Sequence, residues 1–180
     1  MPSPKAAHIL CIRFSAMGDV AMTVPVLIAL TRANPELEIT VVSKPFFKPF
    51  FSGIERVHFF GAEVKTKYKG GTGLYKLYKA LKPEQFTAIA DLHNVIRSKV
   101  LLSFFRLRGS QTAQIDKGRA EKKALTRETN KVFKPLKSTH QRYADVFEAL
   151  GYPLQLKGDE LLPKRKLNDT IQQAIGQEPY

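Results

Sequence analysis

The chain has 180 residues, 29 Lys+Arg against 16 Asp+Glu for a formal net charge of +13, 43% apolar residues and a single cysteine. An apolar share of that size beside 25% charged residues can fill a hydrophobic core, which excludes wholesale disorder, collagen-like repeats and disulfide-stapled scaffolds. One domain, or half of something larger, is the expected count.

In chain order, His8 to Phe14 is a short apolar run rich in β-formers, followed by Ser-Ala-Met-Gly-Asp and a mostly apolar, helix-like segment to Ala33. That reads as strand, tight turn and helix. Cys11 lies inside the apolar run and is expected to be a buried small hydrophobe. Pro25 cannot donate four residues back, so the helix either kinks early or begins near Met22-Thr23 with Asp19 left in an exposed turn. Asn34-Pro35 ends it, and Leu37 to Ser43 and Arg56 to Phe60 are the second and third predicted strands. Gly70-Gly71-Thr72-Gly73 is expected to be a flexible loop tip leading into a helix over Leu74 to Leu81, closed by Lys82-Pro83.

Phe86 to Leu92 is the fourth predicted strand, Asn94 to Leu107 a helix and Thr112 to Ile115 the fifth strand. A charged segment, Arg119 to Lys131, separates them from a helix over Thr139 to Leu150 ended by Gly151. Strands alternating with helices imply a parallel sheet covered by helices on both faces, a Rossmann-like α/β fold, because parallel neighbours need right-handed crossovers. Residues 1–160 form the expected domain, and 161–180, with a helical patch around Asp169 to Ile175, the expected connector or tail. The amino-terminal segment lacks a signal-peptide layout, and Val20 to Thr31, the longest uncharged stretch, is too short to span a bilayer. A soluble cytoplasmic protein is the expectation.

The basic surplus favours polyanionic partners: nucleic acid, an anionic membrane surface, or a substrate bearing phosphates and carboxylates. The runs at Lys65 to Lys69, Lys117 to Lys123, Arg127 to Lys137 and Lys164 to Lys166 lack the aromatic spacing of an RNA-recognition sheet and paired zinc ligands. In open parallel sheets ligands bind beyond the carboxyl ends of the strands, which directs attention to two turns. Arg13 to Asp19 puts Ser15, Gly18 and Asp19 between strand and helix. Gly18 permits close approach or positive φ, and Asp19 reads equally well as a helix cap and as a base. Neither this turn nor Gly70 to Gly73 is a dinucleotide fingerprint or a P-loop. In Asp91 to Ser98, Arg97 reads as an ion-pair partner of Asp91 or as a bidentate ligand of a carboxylate or phosphate, and His93 as a hydrogen-bonded turn residue. Four scattered histidines and one cysteine give no metal site to argue for.

These residues resemble the heptosyltransferases, the ninth glycosyltransferase family, which use ADP-heptose to build the lipopolysaccharide inner core. Ile9 to Pro25 looks like the family's opening strand, Gly-Asp turn and Pro-containing helix, and Leu37 to Ser43 is similar to its second strand. Asp91 to Ser98 resembles its Asp-x-Gln-Gly-x-x-Arg/Lys-Ser motif with departures at His93 and Asn94. His140 to Tyr143 with Leu150-Gly151 looks like the helix closing the first of two Rossmann-like domains.

The resemblance implies the N-terminal, acceptor-binding half of a two-domain GT-B glycosyltransferase, the second, donor-binding domain being absent from this chain. It implies metal-independent, inverting transfer from a nucleotide-sugar such as ADP-heptose to an anionic lipopolysaccharide-core acceptor. No other cofactor and no specific nucleic acid partner is expected. Asp19 matches the family's base, and Ser15, Gly18, Lys44, Arg97, Lys117 and Arg119 are the residues expected at the acceptor. The acceptor would lie on an anionic membrane, the inner face of the inner membrane. Lys122, Lys123 and Arg127 then read as peripheral charges. The competing reading is a non-enzymatic basic α/β domain binding nucleic acid or another polyanion.

Overall fold

A computed structural model describes residues 7–162 together with Ile171 and Gln173. The basic run at 164–166 and most of the helical patch at 169–175 lie outside the described residues. Five parallel strands form one sheet: β1 (His8–Ile12), β2 (Glu38–Ser43), β3 (Val57–Gly61), β4 (Ala88–Asp91) and β5 (Gln111–Gln114), in the order β3-β2-β1-β4-β5. β1 is central, with Leu10 in register with Thr40 on one side and Ile89 on the other. Reversal of strand order between β2-β1 and β1-β4 opens a crevice at the carboxyl edge, where the connections after β1 and β4 diverge.

Both faces are covered, as alternating strands and helices imply. Ile9, Cys11, Ile39, Val41, Ala88 and Ala90 pack with α2 (Thr23–Ala33) and α6 (Thr139–Glu148). Leu10, Ile12, Val42 and Ile89 pack with α3 (Gly70–Leu81) and α4 (Ile96–Arg106). The two-residue period sends alternate side chains to opposite faces, so one strand feeds two cores. Cys11 lies fully inside the first, and burial pushes its thiol pKa up, leaving an inert apolar filler.

The Pro25 ambiguity resolves to the later helix start, but Asp19 is not left in an exposed turn. A one-turn helix, α1 (Met17–Ala21), stops before Met22, and α2 restarts at Thr23, whose hydroxyl donates to the Val20 carbonyl at 2.7 Å. Pro25 therefore sits in the first turn of α2, where a backbone N–H has no acceptor within its own helix.

Two expectations need correction. Gly70 to Gly73 is not a loop tip but the first turn of α3. Gly73 lies so close to Tyr68 that any Cβ would overlap the Tyr68 backbone, so the glycine serves packing rather than flexibility. The helix after β4 starts at Ile96, not Asn94, because Asn94 adopts φ 47°. Within the charged segment, α5 (Arg119–Thr126) is helical, set off by Gly118 at φ 59°. Among the described residues no helix is long and apolar enough to cross a membrane.

Candidate functional site

The carboxyl ends of β1, β4 and β5 bring Arg13, Asp91 and Lys117 close enough to perturb one another's neighbours. Arg13 follows the last residue of β1, and its side chain is only 7% exposed. Its Nη1 donates to the Leu92 carbonyl at 2.6 Å, its Nη2 is paired with Oδ2 of Asp19, and its guanidinium lies 5.9 Å from the Tyr143 ring centroid. Position 13 itself is fixed by Ser43, whose hydroxyl donates to the Arg13 carbonyl at 2.5 Å.

Asp19 sits in α1 at the third helical position. Oδ2 accepts from the Ala16 N–H at 3.4 Å as well as from Arg13, so the carboxylate closes the helix start and pairs with a buried cation at once. Oδ1 makes no hydrogen bond or ion pair among the described residues, and the side chain is 44% exposed. Cap and base were the two readings of this residue, and the geometry accommodates both on different oxygens. Tyr143 of α6 steadies the turn by donating its hydroxyl to the Asp19 carbonyl at 3.1 Å, and burial raises that phenol's pKa to about 12. Ser15 is half-buried in the same turn, and the Ser15–Ala16 peptide bond is cis. Gly18 does not adopt positive φ, and a Cβ there would meet open space. Of its two expected uses only close approach of something outside the fold remains.

Asp91 is the buried hub of the second turn. Oδ1 accepts from the His93 and Asn94 N–H groups, both at 2.9 Å, and Oδ2 from the Ser98 hydroxyl at 3.0 Å and the Gln114 amide at 2.6 Å. Four donors saturate it, which removes the expected Arg97–Asp91 ion pair. Arg97 is exposed instead, forming no ion pair among the described residues. Asn94 takes the left-handed conformation that the family motif's glycine would supply, the non-glycine type best suited to it, and its Nδ2 donates to the Ile115 carbonyl at 2.7 Å. His93 is buried with its ring edge-on to Phe14, and its Nδ1 has no hydrogen-bond partner among the described residues. Burial first, and then the Arg13 charge, lowers the imidazole pKa to about 4, so the ring is neutral near pH 7.

The expected acceptor residues divide into three groups. Lys117, beyond β5, has its pKa lowered by burial and by the Arg13 and Arg119 charges, with Asp91 and Asp19 acting the other way, so it lies within electrostatic reach of the Arg13–Asp19 pair. Arg97 and Arg119 line one cleft of about 750 Å³ with Gly70, Gly71, Asn94 and Lys99, at the converging amino ends of α3 and α4. Lys44, at the end of β2, lies 6.0 Å from the Phe47 ring centroid, and no ion pair joins it to the other groups. Arg13 was missed as a site residue. Its signal, a charged side chain ending an otherwise apolar strand, was present in the sequence.

This architecture is that of one Rossmann-like half of the GT-B fold, with its open crevice at the carboxyl edge. Two solved structures share it at low identity. The glycosyl transferase family 9 protein from Veillonella parvula superposes with a TM-score of 0.60 at 18% identity, over 89% of this chain and 44% of that one. The E. coli heptosyltransferase WaaC, solved with ADP-2-deoxy-2-fluoro heptose, superposes with a TM-score of 0.61 at 20% identity, over 85% of this chain and 51% of its own. The chain therefore spans about half the length of either. Both neighbours come from the group that the Gly-Asp turn and the Asp91 to Ser98 segment resemble. Neither a protein-family model nor a curated protein matches the sequence.

Proposed function

We propose that this chain is the acceptor-binding half of an inverting glycosyltransferase of the heptosyltransferase type. Asp19 acts as general base on an acceptor hydroxyl. The acceptor oxygen forms a bond to the anomeric carbon of the nucleotide-sugar as the bond from that carbon to the diphosphate breaks. The hydroxyl proton passes to Asp19 and the nucleoside diphosphate leaves. One carboxylate suffices because a diphosphate departs with little protonation, unlike the alkoxide released by a two-carboxylate hydrolase. The donor in this reading is ADP-heptose and the acceptor the anionic lipopolysaccharide core on a membrane surface, with no metal required.

The observation that carries the proposal is the division of labour on Asp19: one oxygen is anchored by Arg13 and the Ala16 N–H, and the other has no hydrogen-bond or ion-pair partner among the described residues, on a side chain 44% exposed. A carboxylate that were only a cap would not need a buried arginine to orient it. Lys117, within electrostatic reach of Asp19, and Arg97 and Arg119, in the separate cleft at the amino ends of α3 and α4, supply positive charge on the carboxyl side of the sheet, which would orient an anionic acceptor and speed its capture.

The test is NMR titration of this chain with a soluble inner-core oligosaccharide, competed by short duplex DNA at low and physiological salt. Saturable oligosaccharide binding that survives physiological salt, and that weakens in Lys117→Ala and Arg97→Ala, supports the acceptor half. Binding of DNA alone, collapsing steeply with salt as counterion release dictates, overturns it in favour of a nucleic-acid-binding domain.

A further inference from the structure

We propose that α5 and the segment 127–137 that folds back on it form a docking surface for an anionic lipid bilayer, with Phe133 as the inserting side chain. Residues 119–137 carry seven Lys/Arg against two Glu. The segment is pinned rather than loose. The Val132 N–H donates to the Ala124 carbonyl at 2.9 Å, Lys137 pairs with Asp145 at 2.7 Å, and Arg142 of α6 donates to the Lys137 carbonyl at 3.2 Å while pairing with Glu121 at 2.6 Å. Held this way, the segment presents Phe133 at 80% exposure between Lys131 and Lys134, while Val132 and Leu136, far less exposed, line a shallow cleft with Glu121 and Ala124 of α5.

A large exposed apolar side chain set among cations fits one kind of partner better than others. A nucleic acid backbone is matched by the lysines alone and leaves Phe133 in water. The interface of an anionic bilayer takes both, the ammonium groups at the headgroup phosphates and the apolar side chain just below them. Charge complementarity therefore commits the surface to anionic phospholipid. Arg119 belongs both to α5 and to the cleft it shares with Arg97, so docking through this segment sets the candidate site close to the lipid plane.

Phosphatidylcholine and phosphatidylglycerol vesicles carry no sugar acceptor, so the test neither needs nor reports the transferase reading. The chain contains no tryptophan, which makes the indole introduced by Phe133→Trp a single fluorescent reporter. With vesicles containing phosphatidylglycerol, the expected result is co-sedimentation and a blue shift of the indole emission, and with phosphatidylcholine alone neither. Phe133→Ser and the pair Lys131→Gln/Lys134→Gln, with unchanged circular dichroism, should each weaken partitioning about tenfold, through lost apolar burial and lost charge attraction respectively. Absence of binding, binding without an emission shift, an equal shift on adding duplex DNA, or a shift that grows with protein concentration in the absence of lipid would each overturn the proposal. The last two outcomes point to nucleic acid and to a second copy of the chain.

Discussion

At the scale of single residues, Asp19 and His93 make opposite use of Arg13. Asp19 keeps one oxygen on the guanidinium and leaves the other without a partner among the described residues, so the cation orients the carboxylate without engaging the oxygen that would take a proton. In the complete two-domain enzyme, with nucleotide-sugar and acceptor supplied, Asp19→Asn is expected to lower kcat about 10²- to 10⁴-fold, the usual contribution of a general base. The acceptor Kd should stay nearly constant. Separate measurement of the two checks the role, and near-normal turnover in the variant defeats it. His93 has no carboxylate on its ring, and burial beside Arg13 and Lys117 outweighs the opposing charges of Asp91 and Asp19. Its pKa of about 4 in the fold lies below the 6.5 of an exposed imidazole, so the unfolded chain binds the extra proton first as pH falls. The stability that depends on a neutral His93 is therefore complete above pH 6.5 and is lost as pH drops toward 4, by about 3 kcal/mol in total. Urea unfolding at about pH 7.5, 5.5 and 4.5 should show that loss in the native chain and a shallower one in His93→Gln, where the family motif's own residue cannot titrate. Equal slopes for the two proteins would remove His93 as the cause.

At the scale of elements, the start of α5 depends on one glycine and one arginine from a different helix. Gly118 takes φ 59°, and the Arg142 guanidinium lies where its Cβ would be. That arginine also holds Glu121 of α5 and the carbonyls of Asp116 and Lys137, joining α5, the folded-back segment and α6 at one point. Gly118→Ala should cost about 1–2 kcal/mol for the left-handed backbone, plus the cost of displacing Arg142. In the Arg142→Ala background only the backbone part survives, so the two substitutions should be non-additive in a double-mutant cycle read by denaturant midpoints. Additive costs would mean that Arg142 yields freely. No periodicity announces this junction, which is why the run from Arg119 reads in sequence only as a charged segment with no element assigned, while β1, β2 and β4 are legible as short apolar runs between breakers. Gly70 to Gly73 misleads for a related reason: glycine suggests a loop, and only the packing of Tyr68 against Gly73 shows it to be a helix start. The candidate site is legible in its turn residues. Arg13 shows in the sequence as a charge ending an apolar strand, but its role as anchor does not, since its partners, Leu92, Asp19 and Tyr143, come from three separate places along the chain.

At the scale of the whole molecule, the net charge of +13 acts on the fold and on its partners with opposite signs of salt dependence. A folded chain of this length has a radius of gyration of about 16 Å. At about 0.01 M salt the Debye length is about 30 Å, so every cation feels every other, whereas at about 0.1 M it is about 10 Å and only clustered charges still interact. Screening therefore removes more repulsion than attraction, because the exposed ion pairs such as Arg32–Asp159 contribute little and the buried Arg13–Asp19 contact is shielded least. The melting temperature should rise on going from about 10 to about 150 mM sodium chloride, while partitioning onto anionic vesicles falls over the same range. Scanning calorimetry and co-sedimentation on one preparation read both slopes. A melting temperature that falls with salt would mean that ion pairs, and not the surplus of lysine and arginine, dominate the electrostatics of the fold. The basic stripe would then have to be balanced within the chain rather than by a lipid surface.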